Sequence, residues 1–177
     1  MVSNEKRWKS LFLFTIGLAI GTAFCLKWME ADLIVNGDKF TILGLELFYD
    51  KTKMESILTG IDDRVQTVLS YHLYFDFAFM AGIFPSIAAM CMMVSYRTSN
   101  PVGKKVLYLL AALQILAWAF DIIENIHLLK WIGSPVITQG GLTLFHIIVS
   151  LKWIISLTGV IVVVVFFFLK KKTWRAT

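Results

Sequence analysis

Charge is scarce in this chain: Asp, Glu, Lys and Arg make up only 16% of its 177 residues, where a soluble domain carries about 25%. Cysteine is scarcer still, with Cys25 and Cys91 alone. Two thiols so far apart build neither a disulfide scaffold nor a zinc site, and neither sits in a C-x-x-C, which argues against dithiol redox chemistry. A Walker loop, a Gly-rich dinucleotide turn, an H-E-x-x-H helix and a nucleophile elbow are all missing. These absences remove the nucleotide-binding, zinc-protease and serine-hydrolase mechanisms that such motifs carry. No internal repeat or low-complexity tract is present either. What abounds is apolar: 58% of residues are hydrophobic and the mean hydropathy is +0.73.

The apolar residues gather into four segments long enough to cross roughly 30 Å of hydrocarbon, which takes about 20 helical residues. They are residues 11–29, 69–96, 104–130 and 142–169, so residues 1–177 read as a single all-α, four-transmembrane-helix bundle. Asn100-Pro101 and Ser134-Pro135 mark turns between spans, and Pro85 falls inside the second, where a membrane helix tolerates it. Lys6-Arg7-Trp8-Lys9 ahead of Leu11–Ile20 also has the build of a signal peptide. Here it is counted as the first span. Gly17-x-x-x-Gly21, continued by Thr22 and Cys25, predicts its close-packing face toward a neighbouring helix.

Ten of the 17 basic residues fall on one side of this arrangement: Lys6, Arg7, Lys9, Arg97, Lys104, Lys105, Lys170, Lys171, Lys172 and Arg175. By the positive-inside tendency both termini are cytoplasmic, the protein is multi-pass in the cell membrane, and residues 30–68 and the third connection face out. The same clustering explains the +5 net charge without nucleic acid as a partner. The extracytoplasmic loop 30–68 is expected to be partly structured. Asn36-Gly37 predicts a hairpin turn, and Thr52-Lys53-Met54-Glu55 a capping box opening a short helix that Gly60 ends. Ile57, Leu58 and Ile61 predict that this helix lies against the bundle or the lipid surface.

Within these apolar spans lie Asp76, Asp121, Glu124 and Lys152. Each ionisable group at membrane depth costs on the order of 2.5–3.5 kcal/mol on insertion scales and marks a candidate functional site. At 1.5 Å per residue all four sit about 9–15 Å below the outer interface, with His72, Asn125, His127 and His146 in the same half. Helical phase aligns Gln114, Trp118, Asp121 and Asn125 on the third span with Glu124 at the edge, His72 with Asp76 on the second, and Lys152 with Ser156 on the fourth. His127 and His146 point away from these stripes. Three acids against one lysine leave two negatives unmatched unless burial neutralises them, and that excess favours a cationic, protonic or hydroxylic visitor over a purely structural ion pair. Glu124-x-x-His127 has the spacing of a di-iron bundle, but it occurs once and the other ligands are missing, so neither a metal nor a cofactor is expected.

The run Phe48-Tyr49-Asp50, Met54, Leu58, Gly60, Arg64, Tyr71 and Asp76-Phe77, then Phe120-Asp121-Ile122-Ile123-Glu124-Asn125 and Lys152-Trp153, resembles a group of small bacterial four-helix integral membrane proteins of uncharacterised function. Their pattern carries an aromatic-tyrosine helix in the first outer loop, then D-F, D-x-x-E-N and K-W motifs. The likeness runs from about Phe40 to Ile155, and Phe48-Tyr49-Asp50 departs from the group's glycine-tyrosine-serine form. The resemblance implies no activity. It points to Asp76, Asp121, Glu124, Asn125, Lys152 and Trp153.

The function expected from these residues is an outward-opening polar pocket that binds a membrane lipid or small amphipathic ligand, or service as a small membrane subunit. Glu124, Asp121 and Asn125 would take polar groups, Asp76 and His72 the facing side, and Trp118 and Trp153 the apolar walls, with Lys152 balancing charge. The first alternative is a membrane enzyme doing isomerase- or hydrolase-type acid/base chemistry on a lipid, with Asp76, Glu124 and Lys152 as its catalytic groups. The second is a proton-coupled transporter. Four spans are few for alternating access, so this reading calls for a homodimer or a membrane protein partner.

Overall fold

The computed structural model describes residues 2–173, with side chains from 4 to 167. Five α-helices dominate: α1 (Val2–Met29), α2 (Lys51–Gly60), α3 (Asp63–Arg97), α4 (Pro101–Gly133) and α5 (Gln139–Thr173). Four helical stretches are long and apolar enough to cross a membrane: Asn4–Asp32, Asp63–Arg97, Pro101–Gly133 and Gln139–Phe167. The side chains of Lys170, Lys171 and Lys172, and Arg175 entirely, lie outside the described residues. α3 and α4 extend past their apolar segments because capping residues stand further out. The Asp62 side chain accepts from Val65 N–H to open α3, and Asn100 accepts from Val102 N–H while Pro101 takes the first turn of α4, where its missing N–H costs nothing. Pro85 sits inside a continuous α3.

α3, α4 and α5 pack together, the α3–α5 seam being the loosest of the three, and α1 lies along α3. Small residues let α1 and α3 approach. A Cβ at Gly82 would come within 2.6 Å of the Ala19 backbone nitrogen, and Ser86 Oγ donates to Thr15 Oγ1 at 2.9 Å. The packing face of α1 is therefore Thr15, Ala19 and Thr22, all buried. Gly17 and Gly21 instead face outward with nothing within 4 Å of a Cβ at either. This corrects the expected Gly17-x-x-x-Gly21 contact, and the reason is that the notch is cut in the opposing helix. With Gly82 supplying it, α1 needs only alanine and threonines whose hydroxyls turn back onto their own carbonyls, Thr15 on Leu11 at 2.8 Å and Thr22 on Leu18 at 2.7 Å.

The segment between α1 and α3 folds onto one end of the helices. β1 (Ile34–Val35) pairs antiparallel with β2 (Asp38–Lys39), Ile34 opposite Lys39. Asn36 and Gly37 turn the hairpin with φ of 52° and 86°, as a two-residue type I′ loop requires. α2 opens on Asp50, whose carboxylate accepts from Lys53 N–H at 2.8 Å; the cap thus lies two residues ahead of the expected Thr52. Ile57 and Leu58 of α2 are buried with Leu33, Leu45, Leu69, Leu73, Leu128 and Phe145 in the largest apolar cluster. Between hairpin and α2, Gly44–Phe48 forms a π-helical turn. The Tyr49 ring abuts Gly44, leaving no room there for a Cβ. That turn aims one carboxylate, Glu46, at the helices.

Candidate functional site

Lys152 on α5 is the hub. Its side chain is 8% exposed, and Nζ lies 2.8 Å from Asp121 Oδ1, 2.5 Å from Glu124 Oε2 and 3.7 Å from Glu46 Oε2. An ammonium has three N–H donors, and three carboxylates surround this one. The Asp121 contact is a directed hydrogen bond. Glu124, 0% exposed, is held by the close contact of its Oε2 with the Lys152 ammonium. Asp121 and Glu124 reach one ammonium because three residues apart on a helix is one face.

One residue further along α4, Asn125 ties in α3. Its Nδ2 donates to Asp76 Oδ2 at 2.7 Å and, more weakly, to Leu73 O at 3.4 Å. Asp76 makes no ion pair among the described residues. Trp153, beside the hub on α5, donates from Nε1 to Glu46 Oε2 at 3.4 Å, and its ring centroid lies 5.4 Å from Lys152 Nζ. His72, one turn before Asp76, is 4% exposed and has no hydrogen-bond partner on either ring nitrogen among the described residues.

Asp76, Asp121, Glu124, Asn125, Lys152 and Trp153 therefore converge, with His72 at their margin. Trp118 goes elsewhere: it packs beside Met80, Phe84 and Ala117 and lines a separate apolar cavity of about 500 Å³ between α1, α3 and α4. His127 bonds Ile123 O at 2.8 Å and packs on Trp131 and Phe145. Among the described residues no group of three or more His, Cys, Asp and Glu side chains is arranged to hold a metal ion.

Glu46 is the member that sequence reasoning missed. It lies far from the spans in sequence, but one signal was available: it is the single charged residue in the apolar run Ile42–Phe48. Burial pushes its carboxyl above the ordinary carboxylate range, against the opposing pull of the Lys152 ammonium.

Two cavities share a wall at this cluster. One, of about 280 Å³, opens in the α3–α5 seam; Glu46, Asp76, Asp121 and Lys152 line it beside Ile83, Ile87, Leu157 and Val160. The other, of about 250 Å³, lies between α1, α3 and the folded segment, with His72, Glu30 and Leu43 in its wall. Glu46, Asp76, Phe79 and Trp153 line both. Such an arrangement can hold a polar head at the junction and an apolar tail in the seam. Comparison with known proteins finds no family model, no curated protein and no solved structure that matches the chain.

Proposed function

We propose that this chain is an integral membrane protein that binds a single-chain amphiphile in the α3–α5 seam, without turnover. The observation carrying the reading is the seam cavity, charged at one end by Glu46, Asp76, Asp121 and Lys152 and apolar at the other. Buried charge is tolerated only when paired and hydrogen-bonded, and four carboxylates around one ammonium exceed internal pairing. Exposed apolar side chains such as Phe14, Ile115 and Phe167 along the long helices support a lipid surround. In the orientation with both termini cytoplasmic, the folded segment 30–68 caps the outer end of the site and the cavity lies in the outer half of the cell membrane.

Native mass spectrometry tests this on wild type beside Asp76→Asn and Lys152→Met. The expected result is a discrete amphiphile adduct on wild type that both variants lose. Lys152→Met also leaves buried carboxylates without their partner, a change worth about 3–5 kcal/mol of stability, so Asp76→Asn, at a residue that lines the cavity, is the cleaner probe. A wild type without adduct, alongside equally folded variants, would reduce the cluster to a helix-locking ion network.

A further inference from the structure

The junction of the two cavities has a chemistry of its own. Lys152 is enclosed by Asp121, Glu124 and Glu46, and Lys27 in the wall of the second cavity is paired with Glu30 at 2.6 Å, so an anionic head arriving there would meet carboxylates beside both lysines. Asp76 is the acid outside that ring, it lines both cavities, and among the described residues it makes no ion pair within 4.0 Å. His72 adds an independent sign of a ligand. It is buried at 4% exposure, lines the second cavity, and leaves both ring nitrogens unpartnered among the described residues. A neutral imidazole has one donor and one acceptor, and a hydroxyl answers either. His72 and Asp76 stand one turn apart on α3, where side chains are neighbours at about 5–6 Å between Cβ atoms.

Resting on the pocket reading above, we infer that the ligand is a long-chain amino alcohol: its ammonium lies against Asp76, its hydroxyl against His72, and its chain in the α3–α5 seam. The half-exposed ring of Trp153 offers the ammonium a second, cation–π contact. From Asp76 to Ile87 the seam follows α3 for about 16 Å at 1.5 Å per residue, which takes the head-proximal part of a long alkyl chain and leaves its end to the surrounding lipid.

The test uses the full chain in a neutral maltoside detergent, challenged at equal concentrations with sphinganine, octadecylamine, octadecanol and octadecyl phosphate, with retention read by native mass spectrometry. Wild type is expected to retain sphinganine best, octadecylamine next and octadecyl phosphate least. Asp76→Asn should lose about tenfold in sphinganine affinity, the size of one hydrogen bond to a charged group. His72→Phe should bring sphinganine down to the octadecylamine level and leave octadecylamine unchanged. Octadecanol or octadecyl phosphate held as tightly as sphinganine would overturn the amino-alcohol assignment while leaving an amphiphile pocket standing. If none of the four is retained, both readings fall. A His72→Phe variant that weakens both amines alike overturns the hydroxyl contact. The wild-type ranking requires no variant to fold.

Discussion

Glu46 shows how one side chain couples a surface segment to an interior charge cluster. Its carboxyl sits above its ordinary value of 4.5 because burial penalises the anion more than Lys152 rewards it. A group whose folded pKa is raised binds its proton more tightly when folded, so it adds stability that is fully present below 4.5 and is lost as pH rises through the folded value. Glu46→Gln keeps the shape and removes the titration. Wild type should therefore lose melting temperature relative to Glu46→Gln as pH climbs from below 4.5 to neutral. Parallel thermal-unfolding curves in detergent read this directly, and a pH-independent gap between the two proteins would show that Glu46 does not titrate on folding.

At the scale of elements, the α1–α3 contact rests on Gly82. Alanine favours a helix over glycine by about 1 kcal/mol, while overpacking costs about 1–3 kcal/mol. The atoms in the way at position 82 are the Ala19 backbone and Thr15 O, which have no rotamer to retreat into, so overpacking wins. Gly82→Ala should lower the melting temperature, and Gly17→Ala, with open space around it, should leave it unchanged or raise it. Equal effects at the two sites would mean that α1 docks otherwise. This contact also marks a limit of what the sequence discloses. Four apolar runs, the Asn36-Gly37 hairpin and the shared depth of Asp76, Asp121, Glu124 and Lys152 are local or periodic signals, and they were legible. Which small residue faces which helix depends on the partner surface, so Gly17 and Gly21 misled where Gly82 decided. Glu46 escaped for a related reason. Its place is set by a π-helical turn packed under Tyr49, and no period in the sequence encodes that reach. Trp118 shares a phase stripe with Asp121 yet lies one turn away and lines a different cavity, because a stripe runs the length of a helix and a site does not.

For the whole molecule, the proposed orientation places the hairpin outside and the turn between α3 and α4 inside. Lys39 and Ser99 are exposed in those two places, and Cys91 is buried. On a Cys25→Ser background, a membrane-impermeant maleimide applied to intact cells should label Lys39→Cys and spare Ser99→Cys until the cells are opened. The reverse pattern would invert the topology and put the acidic junction on the cytoplasmic side.

The placement of the hub on α5 has a consequence for synthesis. A ribosome delivers this chain from its N-terminus, so Glu46, Asp121 and Glu124 emerge before Lys152. Until α5 arrives, α4 carries two acids with no counter-charge from the hub, a helix poorly suited to being left alone in an apolar surround. The last long helix is then a closing key: its arrival brings the Lys152 ammonium to Asp121, Glu124 and Glu46. A nascent chain stalled before position 152 is the natural target for quality control.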